Sequence, residues 1–340
     1  MINKTLKIGI NGFGRIGRIA ARIILDRPYL KLVAINSRAK PDSHAYLLKY
    51  DSSYGTFSKS ISSGPDYLKV DDSKIAVTKY ELPADIPWDK NGIDLVIDTS
   101  GKFRTTSELE DHLRKGVKHL VLSAPAKDTT KTIVMGVNES TINPDKDKII
   151  SNSSCTTNCL ATTLKVLDDN FGVKRGFMTT THAVTDSQNL LDNSHSKETR
   201  LRRAAFASLI PASTGSAKDI GKLFPTLGGR IICQAIRVPL LTVSLLNLTV
   251  ATKKKISKEV VNKAFDSVSM GAMKGIISVA SEELVSRDYI GNTHSAIIDP
   301  FLTSVIEPDM VNVFAWYDNE WGYTSRLVDL VEYVGGKANI

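Results

Sequence analysis

Short apolar or β-branched runs recur through the first half of the chain, at residues 6–10, 30–35, 94–98, 119–122 and 132–135. Such runs predict strands covered on both faces, as in a parallel sheet. Helical spacing separates several of them. Over residues 16–25, Ile16, Ala20, Ile23 and Ile24 share one face while Arg15, Arg18 and Arg22 lie off it, and residues 106–115 predict a second helix with a polar face. Alternating strands and helices with right-handed crossovers give an open, doubly wound sheet whose ligands bind at the carboxyl ends of the strands. After Ser151 the pattern changes. A helix is predicted over 154–169, followed by long strand-like runs without intervening helices at 176–183, 230–238, 243–252 and 310–317. That pattern predicts a mostly antiparallel sheet in a second, α+β domain. A further helix is expected over 257–267, and a last one over 319–334 through Tyr323, Leu327, Leu330 and Val334.

Composition sets limits on this picture. At 340 residues and 42% hydrophobic content, the chain carries enough apolar material for two domains with real cores. It contains no run of 18 apolar residues, and residues 1–7 lack the apolar stretch of a secretion signal. Three cysteines cannot all pair within one chain, so a reducing, cytoplasmic compartment is expected and each thiol must be judged as packing or as chemistry. The net charge of +8, from 44 Lys and Arg less 36 Asp and Glu, suits nucleic acid and small phosphorylated ligands equally.

Gly12, Gly14 and Gly17 follow the first strand and open the first helix, the context a dinucleotide-binding turn requires. An acidic residue expected about 20 positions past the last glycine would hold the adenosine ribose. That position is Ser37, followed by Arg38. A carboxylate would repel a 2′-phosphate, whereas a serine beside a guanidinium can bond one. Arg38 pointing to solvent is the plainer alternative.

Cys155 follows Ser151-Asn-Ser-Ser and opens the 154–169 helix, with Ser153 or Ser154 suited to its N-cap. The first turn places the thiol near free amides and the positive end of the helix dipole, which favour thiolate and make Cys155 a candidate nucleophile. Cys159 lies one turn deeper and reads as a small core residue, as does Cys233 within an apolar run. His182 ends an extended run before a polar loop and is a candidate base. No metal site is expected.

Taken together, Asn11-Gly-Phe-Gly-Arg-Ile-Gly-Arg18, Ser151 to Cys159, His182-Ala-Val-Thr185, Pro211-Ala-Ser-Thr-Gly215, Arg237-Val-Pro239 and Trp316-Tyr-Asp-Asn-Glu-Trp-Gly-Tyr323 resemble, in order and over essentially the whole chain, the phosphorylating glyceraldehyde-3-phosphate dehydrogenases. The resemblance implies an α/β Rossmann domain over 1–153 completed by a C-terminal helix, 319–340, and an α+β catalytic domain over 154–318. It implies Cys155 as nucleophile and His182 as acid/base, oxidising glyceraldehyde 3-phosphate to 1,3-bisphosphoglycerate through a thioester. The cofactor, NAD or NADP, would contact Gly12, Phe13, Gly14, Arg15, Ile16, Gly17, Ser37, Arg38, Ser123, Ser194, Asn319 and Tyr323. Thr185 and Arg237 resemble the site for the substrate's C3 phosphate. Ser154, Thr156, Thr214 and Gly215 resemble the site of attacking phosphate. Arg200 is favoured over Arg202 and Arg203 as a further anion ligand.

The family's Asn-Asp after the second strand is here Asn36-Ser37, and its Pro in Asp-Asn-Pro-His is Ser194. Relatives that accept NADP carry hydroxyl residues at both positions. The order Thr185-Asp-Ser-Gln188 also shifts a carboxylate by one place from the family pattern. A homotetramer is implied, with segment 186–208 lying between subunits. Two alternatives stand beside this reading: erythrose-4-phosphate oxidation on the same scaffold, and a nucleic-acid or surface-binding protein that keeps the scaffold, suggested by the charge and the basic run at 200–203.

Overall fold

The computed structural model of the chain describes residues 5–195 and 198–340. Residues 196–197 of segment 186–208, and the first four residues, lie outside the described part. The chain divides into two compact units, Met1–Ser153 with Thr324–Ile340, and Ser154–Tyr323. Among the described residues no helix is long and apolar enough to cross a membrane.

The first unit runs β1 (Leu6–Asn11), α1 (Arg15–Ile24), β2 (Leu30–Asn36), α2 (Pro41–Lys49), a small ribbon of β3 (Tyr50–Asp51) and β4 (Gly55–Thr56), then β5 (Ile61–Ser63), β6 (Tyr67–Val70) and β7 (Ser73–Thr78). It continues with β8 (Leu95–Asp98), α3 (Thr106–Leu109), β9 (His119–Leu122), β10 (Lys131–Thr132) and β11 (Ile149–Ser151). Nine strands form one sheet in the order β10-β11-β9-β8-β1-β2-β7-β6-β5. It is parallel from β10 to β7, and β6 and β5 extend it antiparallel. The order reverses about β1, which lies between β2 and β8, so the carboxyl end of β1 is the topological switch point.

The second unit holds α4 (Cys155–Phe171), β12 (Val173–His182), β13 (Ile210–Ala212), α5 (Ser216–Leu223), β14 (Ile231–Arg237), β15 (Ser244–Thr252), α6 (Lys258–Met270), β16 (Ile277–Val279), β17 (Ala296–Ile306) and β18 (Met310–Tyr317). Seven strands pair in the order β13-β14-β12-β15-β18-β17-β16. Most neighbours are antiparallel, with β12–β14 and β16–β17 parallel. The last helix, α7 (Trp321–Ala338), passes from the second unit into the first. There Leu327, Leu330, Val331 and Val334 share a core with Leu6, Ile8 and Ile10 of β1.

Several local expectations are corrected. The run at 132–135 leaves the sheet at Thr132, because Gly136 turns with φ +84° and Asn138 Oδ1 accepts the Val134 amide. Ile133 and Val134 are apolar because they are buried in a turn. Residues 106–115 form one α-turn and then a 3₁₀ helix from Glu110 to Lys115 that stops at Gly116, φ +81°. Arg22 is buried, its guanidinium donating to the carbonyls of Leu48, Lys49 and Gly55 and lying 5.1 Å from the Phe57 ring. In the second unit α5 intervenes between strands, which is why β14 can run parallel to β12.

Candidate active site

In the first unit, β1 delivers Gly12 to a sharp turn. Its φ is +94°, and a Cβ there would meet Ser100 N at 2.6 Å, so only glycine fits. Gly17 packs just as tightly, its missing side chain replaced by the Gly12 carbonyl and the Thr99 hydroxyl. Gly14 differs: a Cβ built on it meets nothing within 4 Å. Two glycines are thus required by the protein's own packing, and the middle one faces open space at the start of α1, as a pyrophosphate-binding turn requires. These residues fit a dinucleotide.

Beneath this turn the strand ends are cross-linked. Asn11 Nδ2 donates to Asp98 Oδ2 at 2.7 Å, and Asn36 Nδ2 donates to Asn11 Oδ1 at 2.9 Å, joining β1, β8 and β2. Phe13 turns into the core against His44, and Arg15 is drawn to Asp51 at 2.8 Å. Ile16 packs partly buried against the same core. Ser37 is half-buried with its amide on Thr78 O, Arg38 is exposed, and Ser123 follows β9 with its amide on Asp98 O. No carboxylate stands at the end of β2; Asp42 lies in the first turn of α2.

In the second unit, Ser154 caps α4, its hydroxyl accepting the Thr157 amide at 3.1 Å. Cys155 is therefore the first residue of the helix. β12 ends at His182, whose Nε2 lies 3.4 Å from the Cys155 sulfur. The parallel neighbour β14 ends in register at Arg237, whose Nη1 is 2.6 Å from His182 Nδ1. Ala183 O stands 2.7 Å from the same nitrogen. A guanidinium only donates and a carbonyl only accepts, so Nδ1 can serve one of them at a time.

Burial governs the titration of both groups. It pushes the Cys155 thiol up, while the Arg237 charge and the hydroxyl and amide of Thr156 pull it down. Burial, then the Arg237 charge, pushes His182 down to about 3, against the Ala183 carbonyl. Burial thus opposes the helix terminus and the Arg237 charge at Cys155, and desolvation is the larger influence on the thiol. Cys159 is fully buried and its thiol pushed further up by burial and by Cys155. Cys233, expected in the core, is only half-buried, yet burial still holds its thiol up at about 12.

A chain of hydroxyls joins the starts of α4 and α5. Ser154 Oγ meets Thr157 Oγ1 at 2.8 Å, Thr157 Oγ1 donates to Ser216 Oγ at 3.2 Å, and Ser216 Oγ meets Thr214 Oγ1 at 3.0 Å. Ser154 and Thr214, far apart in sequence, are thereby brought together, and Gly215 is the N-cap of α5. The Thr156 hydroxyl instead turns inward onto the Tyr317 hydroxyl at 3.0 Å. Thr185 shares its hydroxyl with Ser187 at 2.9 Å, and Arg200, Arg202 and Ser194 are exposed. Arg203 is committed to Asp192 at 3.0 Å.

Sequence reasoning passed over the residues that hold these groups. Tyr317, fully buried, bonds both Thr156 and Thr180. Asp318 accepts the amides of Glu320 and Trp321 in the turn just ahead of α7, a turn whose signal was present in Asp318-Asn-Glu-Trp. Asn319 and Tyr323 are nearly buried beside it.

The C-terminal domain of glyceraldehyde 3-phosphate dehydrogenase is the family that matches residues 154–319, and the NAD binding domain of the same enzyme matches residues 6–106. Glyceraldehyde-3-phosphate dehydrogenase 2 of Bacillus subtilis (strain 168) is 43% identical over 332 residues, 98% of this chain and 97% of that protein. Glyceraldehyde-3-phosphate dehydrogenase 1 of Bacillus cereus is 44% identical over 331 residues, 97% and 99% of the two chains. Glyceraldehyde-3-phosphate dehydrogenase 1 of Schizosaccharomyces pombe (strain 972 / ATCC 24843) is 43% identical over 334 residues, 98% and 99% of the two chains.

Proposed function

This chain belongs to the glyceraldehyde-3-phosphate dehydrogenase family, and on that premise we propose that it oxidises glyceraldehyde 3-phosphate with NAD and inorganic phosphate to 1,3-bisphosphoglycerate, using Cys155 as nucleophile and His182 as acid and base. The observation that carries the assignment is the 3.4 Å approach of His182 Nε2 to the Cys155 sulfur at a helix N-terminus. Initial rates with glyceraldehyde 3-phosphate, with and without phosphate, test it. Turnover of erythrose 4-phosphate that equalled or exceeded them would move the assignment to the longer aldehyde.

The chemistry is written from a thiol and a neutral imidazole. As the Cys155 sulfur bonds the aldehyde carbon, its proton passes to Nε2 and on to the former carbonyl oxygen, leaving a hemithioacetal hydroxyl. Nε2 then takes that proton as hydride leaves the carbon, which requires Nδ1–H to point at the Ala183 carbonyl. NAD, when bound, supplies the hydride acceptor, and Gly12, Gly14, Gly17 and Asn319 would hold it. The thioester on Cys155 is attacked by phosphate, and the departing sulfur recovers its proton from His182. The hydroxyls of Ser154 and Thr214 and the N-terminus of α5 at Gly215 suit that anion, while Arg237 and Thr185 suit the C3 phosphate.

The cofactor reading extends to NADP. Ser37 leaves no repulsive charge at the end of β2, and exposed Arg38 is free to reach a 2′-phosphate. A charge-assisted bond of roughly 1.5 to 3 kcal/mol brings NADP level with NAD without excluding NAD. A homotetramer is also part of the reading. Phe177 and Ile232 pair across β12 and β14 at 62% and 49% exposure, an apolar patch suited to a second copy.

A further inference from the structure

Asn319 occupies the short link between β18 and α7, and its backbone is fixed from several sides. The neighbouring Asp318 carboxylate is fully buried; it accepts the Glu320 and Trp321 amides, the Thr242 hydroxyl at 3.0 Å and the Gly291 amide at 2.8 Å. What remains to be set is the side chain, because an amide can present either its oxygen or its nitrogen to a ligand. The Ser244 hydroxyl decides this. It lies 3.0 Å from Asn319 Oδ1 and 3.1 Å from the Ala183 amide. The Ala183 amide can only donate, so it fills one lone pair of Ser244, and the hydroxyl donates its single proton to Asn319 Oδ1. The reverse amide orientation would leave the buried hydroxyl's proton without an acceptor among the described residues. Nδ2, with two N–H donors and no acceptor among the described residues, faces away from Ser244.

The backbone holds Ser244 to this task at a cost. Val243, immediately before it, is buried with φ +68°, a left-handed conformation that β-branched residues avoid. Ser244 itself is buried and in register with Tyr317. One hydroxyl thus joins the residue after His182 to the amide of Asn319.

We propose that Ser244 is a positioning residue that fixes Asn319 as a hydrogen-bond donor, so that Nδ2 reads the carboxamide oxygen of the nicotinamide. The inference rests on the proposed function, in which Asn319 holds the cofactor, and assigns it the nicotinamide end beside Cys155 and His182. It requires the cofactor's carbonyl and is indifferent to its amide nitrogen, so an analogue with acetyl in place of carboxamide keeps the bond.

The test is equilibrium binding of NAD and of 3-acetylpyridine adenine dinucleotide, followed by tryptophan fluorescence, together with the stereochemistry of deuteride transfer. Asn319→Ala should weaken NAD about tenfold, the loss of one good hydrogen bond; no change there would overturn the Asn319 reading and leave the established family assignment intact. Ser244→Ala should weaken NAD about three- to tenfold and allow detectable transfer to the wrong ring face. Thr242→Val, which loosens the same link through Asp318, should leave face selection intact. If Asn319→Ala acts and Ser244→Ala matches wild type, or if Thr242→Val loses face selection as Ser244→Ala does, the role given to Ser244 is wrong. Asn319→Asp answers without disturbing Ser244: with one oxygen held, the other replaces Nδ2, and NAD binding should fall at least tenfold. Binding within threefold of wild type would mean that an oxygen faced the cofactor all along.

Discussion

The sulfur of Cys155 and the Nε2 nitrogen of His182 stand 3.4 Å apart because α4 begins where β12, the strand that follows it directly and runs back alongside, ends. Cys155→Ala or Cys155→Ser should abolish phosphorylating oxidation while NAD still binds, and Cys159→Ser should change stability alone. His182→Asn should slow turnover about 10²- to 10⁴-fold. Steady-state rates beside calorimetric NAD binding check all four; substantial activity in Cys155→Ala would remove the nucleophile assignment.

The glycine turn makes two opposite forecasts. Gly14→Ala should melt within a few degrees of wild type, since its Cβ meets nothing, but should weaken NAD by about tenfold or more. Gly17→Ala drives a methyl into the Gly12 carbonyl and should lose roughly 1–3 kcal/mol of stability even without cofactor. Equal melting points for the two variants would contradict this division.

Cofactor choice should turn on Ser37. Wild type is expected to use NADP at a kcat/KM within about tenfold of NAD, and Ser37→Asp should shift the ratio toward NAD by about one to two decades. A wild-type preference for NAD above about 100-fold, unmoved by the substitution, would place Ser37 away from the ribose.

His44 predicts a loss of stability in acid. Burial, then the Arg18 charge, holds its pKa below the ordinary 6.5, while Asp42 opposes them. A histidine with a depressed folded pKa contributes stability that is complete above its unfolded value and is lost as pH falls from about 6.5 toward the folded value. His44→Leu keeps the apolar contact with Phe13 and removes the proton site. Its melting point should gain about 2 °C or more on wild type between pH 7 and pH 5; parallel curves would exclude His44 as the source.

Assembly should depend on the exposed pair on β12 and β14. Phe177→Arg is expected to lower the tetramer's mass in sedimentation at micromolar concentration without unfolding the subunit. A wild type that sediments as a fully active monomer would contradict the tetramer.

The parts legible in the sequence were those with local signatures. Continuous apolar runs located β1, β2, β8 and β9, and serine before an apolar helix placed the start of α4. Cys155 and His182 were each candidates on local grounds, but nothing between them in the chain pairs them; the resemblance did that. Polarity misled where partners were distant. Arg22 was read as surface because its acceptors come from Leu48 and Gly55, and Ser244 drew no notice because its two partners, Ala183 and Asn319, lie on either side of it in the chain. Strand β17 was missed because Pro300 interrupts its pattern, and the ladder slips there between Asp299 and Ser304. The upward push of burial on the Cys155 thiol could not be read at all, since desolvation depends on the finished packing around α4.

One core is closed by residues far apart in the polypeptide: Leu6 and Ile8 on β1, and Leu327, Leu330 and Val334 on α7. Leu6 is synthesised 321 residues (327 − 6) before Leu327, so the strand leading into the glycine turn is made long before the helix that covers it. The cofactor-binding unit is therefore completed by a long-range event, not by local folding of its own strands.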